Sequence, residues 1–172
     1  VIRNVLALTG DFVFFSIGFA FYDPLVVVPA FVSEFTGSEL LVGLLSALRV
    51  IFITLPQVWA ASMLEAQPRM KPLLIGSSIG GRLPILLLAA AVMWSTAGQL
   101  GWVIAMLAVS VIFFYTSEGL NGVSWPALVG KVVPERFRGR FFGVGQLISS
   151  LGSIGAGYLV NRILADAVEA DA

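Results

Sequence analysis

Apolar residues in this chain neither alternate nor keep to one narrow stripe. They run in five long blocks, at about 5–31, 40–64, 72–95, 102–129 and 141–164, separated by short polar breaks. Each block exceeds the ~18 residues that mark a membrane-spanning helix. At ~1.5 Å per residue each crosses a ~30 Å hydrocarbon core, the longer ones with tilt. A membrane β-barrel needs ~10-residue segments of alternating polarity, whereas Leu73–Trp94 is apolar on most sides. The expected fold class is all-α: a polytopic membrane bundle of five transmembrane helices, with residues 1–172 as one bundle. The breaks at 32–39, 65–71 and 96–101 are too short for a soluble domain. Residues 123–140 form the longest, expected to prolong the fourth helix before turning. Short connections suit a solvent that offers backbone groups no partners.

Composition narrows the function. Hydrophobic residues make up 58% and charged residues 12%, and the mean hydropathy is +0.97, which excludes a soluble globular domain. Ten basic and ten acidic residues leave no net charge, so nucleic acid is excluded as a partner. The chain has no cysteine and no histidine. Thiolate chemistry, disulfides, the commonest metal ligand and the commonest general base are therefore absent. No cofactor and no metal are expected.

Orientation follows from Lys and Arg. Arg3, Arg69, Lys71, Lys131, Arg136, Arg138 and Arg140 fall on one side and Arg162 on the other. This bias puts the N-terminus in the cytoplasm and, after an odd number of spans, the C-terminal end outside the cell (plasma or inner) membrane. Trp59, Trp94, Trp102 and Trp125 lie near predicted helix ends, as an interfacial belt requires. The chain opens Val1-Ile2-Arg3 without Met and is expected to be a piece of a longer protein.

Asp11, Asp23, Arg49, Arg82 and Glu118 lie within the predicted spans. An unpaired charge near the bilayer centre costs ~2.5–3.5 kcal/mol, so the set together would cost ~12–17 kcal/mol. These residues must face protein or water, and depth suggests partners: Asp23 with Arg49, and Arg82 with Glu118 or Asp11. One carboxylate remains to carry a proton, although purely structural ion pairs explain the set equally well.

Helical spacing puts Tyr115, Glu118 and Asn121 along one side of the fourth span, Ser46, Arg49 and Pro56 on a face of the second, and Asp11, Gly18 and Tyr22 on a face of the first. Stripes on three helices suggest a shared cavity. The candidates for a substrate or proton pathway are Asp11, Tyr22, Asp23, Arg49, Tyr115, Glu118 and Asn121. Pro24, Pro56 and Pro84 crowd the carbonyls of Ala20, Phe52 and Gly80 and predict kinks. In the fifth span Ser149, Ser153 and Gly157 recur every four residues beside Gly152 and Gly155, a small-residue pattern that predicts close helix packing.

Gly76-Ser77-Ser78-Ile79-Gly80 fits the G-x-S-x-G pattern of serine hydrolases. It sits in an apolar helix, in a chain without histidine, so catalysis is not expected. No G-x-x-x-x-G-K-[ST] loop is present, which leaves ATP-driven transport unsupported.

The stretch from Trp125 to Arg140, with Pro134, Glu135, Arg138, Gly139 and Arg140, resembles the junction between the fourth and fifth helices of major facilitator superfamily transporters, where a P-E-x-x-R-G-R-like run crosses the cytoplasmic face. The family's second loop carries G-x-L-x-D-R-x-G-R-R. Here Glu65 stands at the Asp position, Arg69 matches one Arg, Lys71 lies one place beyond the second, and both glycines are replaced. Gly155-Ala156-Gly157 partly resembles the antiporter signature G-P-x-x-G-G. The resemblance implies the first five helices of a twelve-helix protein, in which two six-helix bundles rock about a central site. It makes Asp11, Asp23, Arg49 and Glu118 better substrate or proton candidates than Arg82.

The expected function is transport of a small solute by ion-coupled or facilitative alternating access. The expected partners are the lipid bilayer, a small-molecule substrate, and the missing C-terminal half or a second copy. The alternatives are a non-transporting membrane scaffold or accessory subunit, and an intramembrane enzyme acting on lipid.

Overall fold

The computed structural model describes residues 2–22, 27–66, 71–94 and 100–170. These form six helices: α1 (Ile2–Phe21), α2 (Val27–Thr36), α3 (Glu39–Ala66), α4 (Lys71–Trp94), α5 (Leu100–Val132) and α6 (Glu135–Ala170). Four of them, α1, α3, α4 and α5, are long and apolar enough to cross a membrane. α6, expected as a fifth span, is not among them when only the described residues are counted.

The helix boundaries correct the expected map in two places. One helix is predicted over residues 5–31, but the structure has two. α1 ends at Phe21, and Tyr22 sits in a turn whose amide donates to the Phe19 carbonyl at 3.0 Å. The second correction concerns the start of α6: the 123–140 connection prolongs α5 to Val132 as expected, but after Val133 and Pro134 the last helix begins at Glu135 and not near 141. Lys131 belongs to the last turn of α5, and the other charged residues to the first turns of α6, where Glu135 suits the positive end of the helix dipole.

The chain divides into two compact units, Val1–Val28 with Val129–Ala172, and Pro29–Leu128. In the first, α1 packs along α6. Gly145 and Gly152 make that approach possible. A Cβ on Gly145 would lie 2.7 Å from Phe12 Cδ1, and one on Gly152 would strike the Ile17 side chain. Ser153 Oγ donates to the Ser16 carbonyl at 3.4 Å. Residue numbers rise together along the two helices, so they run parallel. Of the small residues predicted to pack, Ser149 is buried and Gly152 and Ser153 are partly covered, whereas Gly155 and Gly157 are exposed. The packed face is 145, 149, 152 and 156, whose spacings of four, three and four follow the helical period better than a strict repeat of four.

The second unit holds α3, α4 and α5. Gly37 leaves α2 in the left-handed region, with φ 60°, the usual place for a glycine just past a helix end. Ser38 then caps α3, its Oγ accepting from the Leu41 amide at 3.4 Å. α5 is the core helix: 44% of its apolar window is buried, against 6% in α1, α3 and α4. α3 and α4 leave Val50, Leu55, Leu83, Leu86 and Leu87 exposed. Apolar surface on that scale suits a lipid environment and would be a liability in water. The helices are compatible with a multi-pass membrane protein.

Candidate functional site

α5 joins its neighbours through two different seams. Towards α3 the contact is backbone on backbone. A Cβ on Gly119 would collide with the Ile53 carbonyl and would lie 3.3 Å from the Gln57 amide nitrogen. One on Gly122 would lie 3.8 Å from Gln57 Nε2. One turn earlier the Arg49 guanidinium lies over the Tyr115 ring, 5.7 Å from its centroid, a cation–π distance. Arg49 meets Tyr115, Ile53 meets Gly119 and Gln57 meets Gly122, so α3 and α5 run parallel.

Towards α4 the seam is polar. Asn121 Oδ1 accepts from Ser77 Oγ at 2.6 Å, and Asn121 Nδ2 donates to Ser78 Oγ at 3.1 Å and to Ser117 Oγ at 3.3 Å. The amide thus uses both its donors and its acceptor within the bundle. Further along, a Cβ on Gly81 would collide with the Ser117 side chain. Here numbers fall on α4 as they rise on α5, so these two helices are antiparallel. The Ser77–Ser78 pair of the G-x-S-x-G pattern therefore serves as interhelical glue.

The predicted single stripe on α5 is in fact divided. Tyr115, Gly119 and Gly122 lie within about 60° of one another and face α3, while Ser117 and Asn121 lie about 200° further round and face α4. Glu118 falls on the flank between the seams and is half-buried. Because Gly81 meets Ser117, the next residues, Arg82 and Glu118, stand at one level of the α4–α5 pair. Among the other candidates, Asp11 is exposed on α1, Arg49 and Tyr22 are half-buried, and Tyr115 and Asn121 are buried. Asp23 lies outside the described residues, and with it the Asp23–Arg49 pairing.

The α5–α6 junction is built around Arg138. Its Nη2 donates to the Gly130 carbonyl at 2.7 Å and its Nε to the Val133 carbonyl at 3.1 Å. Its Nη1 lies 3.7 Å from Glu135 Oε1. The C-terminal turn of a helix leaves carbonyls without partners, and a cation there also suits the dipole. Arg138 thus gives the motif-like run a structural task. Pro134, Gly139 and Arg140 are exposed. In the other loop Lys71 opens α4 and is exposed, whereas Arg69 and the side chain of Glu65 lie outside the described residues.

Gly81, Gly119, Gly145, Ser77, Ser78 and Ser117 carry the seams and were not among the expected residues. Ser117 and Asn121 at i and i+4 were the available signal, since two small polar residues on one face of an apolar helix favour interhelical hydrogen bonds. Comparison of the chain with protein-family models, with curated proteins and with solved structures returns no match.

Proposed function

We propose that this chain is the N-terminal part of a secondary transporter of the major facilitator type, moving a small solute by alternating access. The observation that supports it is the placement of ionisable residues at span depth. Asp11 is exposed and Arg49 and Glu118 are half-buried, rather than sealed inside a dry seam. A charge at that depth is stable when it meets water or further protein, and either suits a solute path between two bundles.

Helix direction supports five crossings, with α6 as the fifth. α1 and α6 run parallel, α3 and α5 run parallel, and α4 opposes α5, as successive crossings require. The first predicted span is divided into α1 and α2, and interrupted helices commonly line transporter sites. On this reading the protein is multi-pass in the cell membrane, with its N-terminus in the cytoplasm.

The absence of cysteine makes a direct test simple. Single cysteines replace Asp11, Arg49 and Glu118 in the membrane-embedded protein, and each is exposed to a membrane-impermeant thiol reagent. The proposal expects labelling at these depths, reached for Glu118→Cys from both sides, with none at Leu86→Cys. Uniform silence at all three positions would leave no wet path, and the chain would revert to the scaffold reading.

A further inference from the structure

The first unit contains a groove of about 640 Å³ between α1 and the beginning of α6. Val5 and Leu6 of α1 form one wall, and Phe141 and Val144 of α6 form the other. Arg136 and Arg140, one helical turn apart, line the same groove and are exposed. The Arg136 guanidinium carbon lies 4.7 Å from the Phe137 ring centroid. Among the described residues neither arginine has a carboxylate within salt-bridge distance. Glu135, the nearby acid, stands by Arg138 instead.

An apolar slot edged by two cations matches one kind of occupant. Its wall suits a hydrocarbon chain, and guanidinium groups bind phosphate oxygens in a bidentate fork. The groove also sits where such a molecule is found. It lies at the end of α1 that begins beside Arg3 and at the start of α6, just past Lys131 of α5. That is headgroup depth for helices that span, and basic pockets between membrane helices on the cytoplasmic side attract anionic headgroups.

We propose that this groove seats one anionic phospholipid, with an acyl chain along the apolar slot and the phosphate between Arg136 and Arg140. The inference rests on the membrane-spanning reading of α1 and α6 and is independent of transport.

The test uses the full chain in nanodiscs of mixed phosphatidylcholine and phosphatidylglycerol, released in mild detergent and weighed by native mass spectrometry. Wild type is expected to retain phosphatidylglycerol in preference to phosphatidylcholine. Arg136→Gln and Arg140→Gln are each expected to weaken that retention about fivefold, while Arg162→Gln leaves it unchanged. Val144→Trp, which fills the slot and spares both arginines, is expected to abolish retention, and Leu6→Trp does the same from the opposite wall. Equal retention of the two lipids overturns the proposal. So does unchanged retention in both tryptophan variants, which indicates loose attraction to a basic surface, and so does a lipid-free dimer, which indicates that a second copy fills the groove. Resistance to carbonate extraction tests the spanning reading separately, so lost lipid preference in a protein that stays in the membrane counts against the groove alone.

Discussion

Gly119 of α5 lies directly against the Ile53 carbonyl of α3, with no side chain between the two backbones. The approach is closer than any Cβ allows, so Gly119→Ala is expected to force the helices apart and destabilise the bundle by about 1–3 kcal/mol. Gly80→Ala on α4, where an added Cβ meets open space, is expected to be neutral or stabilising by up to about 1 kcal/mol. Unfolding in mixed micelles with increasing SDS separates the two. Equal effects would mean that the α3–α5 approach carries no stability.

Asn121 ties α5 to α4 through Ser77 and Ser78. Interhelical hydrogen bonds in membranes average about 0.6 kcal/mol and reach about 1.7. Asn121→Leu, which removes both interhelical bonds, is expected to lose about 1–2 kcal/mol on the same unfolding scale. Ser77→Ala in the Asn121→Leu background is expected to add almost nothing, since its partner is already gone. Full additivity of the two would dissolve the network.

Arg82 and Glu118 stand level across the α4–α5 seam. Removing one member of a charge pair strands the other at membrane depth. Arg82→Leu is therefore expected to lower the yield of folded protein, and Glu118→Gln in the same chain to restore it. Restoration by Asp11→Asn in place of Glu118→Gln would assign Arg82 to α1. The measurement is the monodisperse fraction after detergent extraction.

Arg138 holds the Gly130 and Val133 carbonyls at the end of α5. Hydrogen bonds from a charged donor are worth about 1.5–3 kcal/mol, so Arg138→Leu is expected to destabilise by that order. Arg138→Lys should not rescue it, since one ammonium cannot reproduce the guanidinium fork. Glu135→Gln is expected to have little effect, because the 3.7 Å pair is exposed on its carboxylate side. Thermal denaturation in detergent, followed by helical circular dichroism, checks all three.

Hydrophobic length alone made α3, α4 and most of α5 legible in the sequence, because a block of apolar residues in a membrane has few alternatives to helix. The same signal misplaced the start of α6. Arg136, Arg138 and Arg140 look like loop residues by hydropathy, yet arginine and glutamate are good helix formers, and Arg138 has backbone carbonyls to bind. Pro24 was legible as a bend within one helix, whereas the chain has a separate α2. The candidate site was legible by residue type and not by partner. Tyr115 and Asn121 are six residues apart, enough to turn one towards α3 and the other towards α4. Which glycine approaches which backbone depends on helix register, and nothing local in the sequence encodes it: Gly119 and Gly130 belong to the same helix, and only Gly119 is hemmed in.

The two-residue turn at Val133 and Pro134 leaves no slack. One guanidinium grips the strand of carbonyls before it while belonging to the helix after it, so the corner behaves as a rivet and not as a hinge. An epitope inserted at that corner would pull the rivet out.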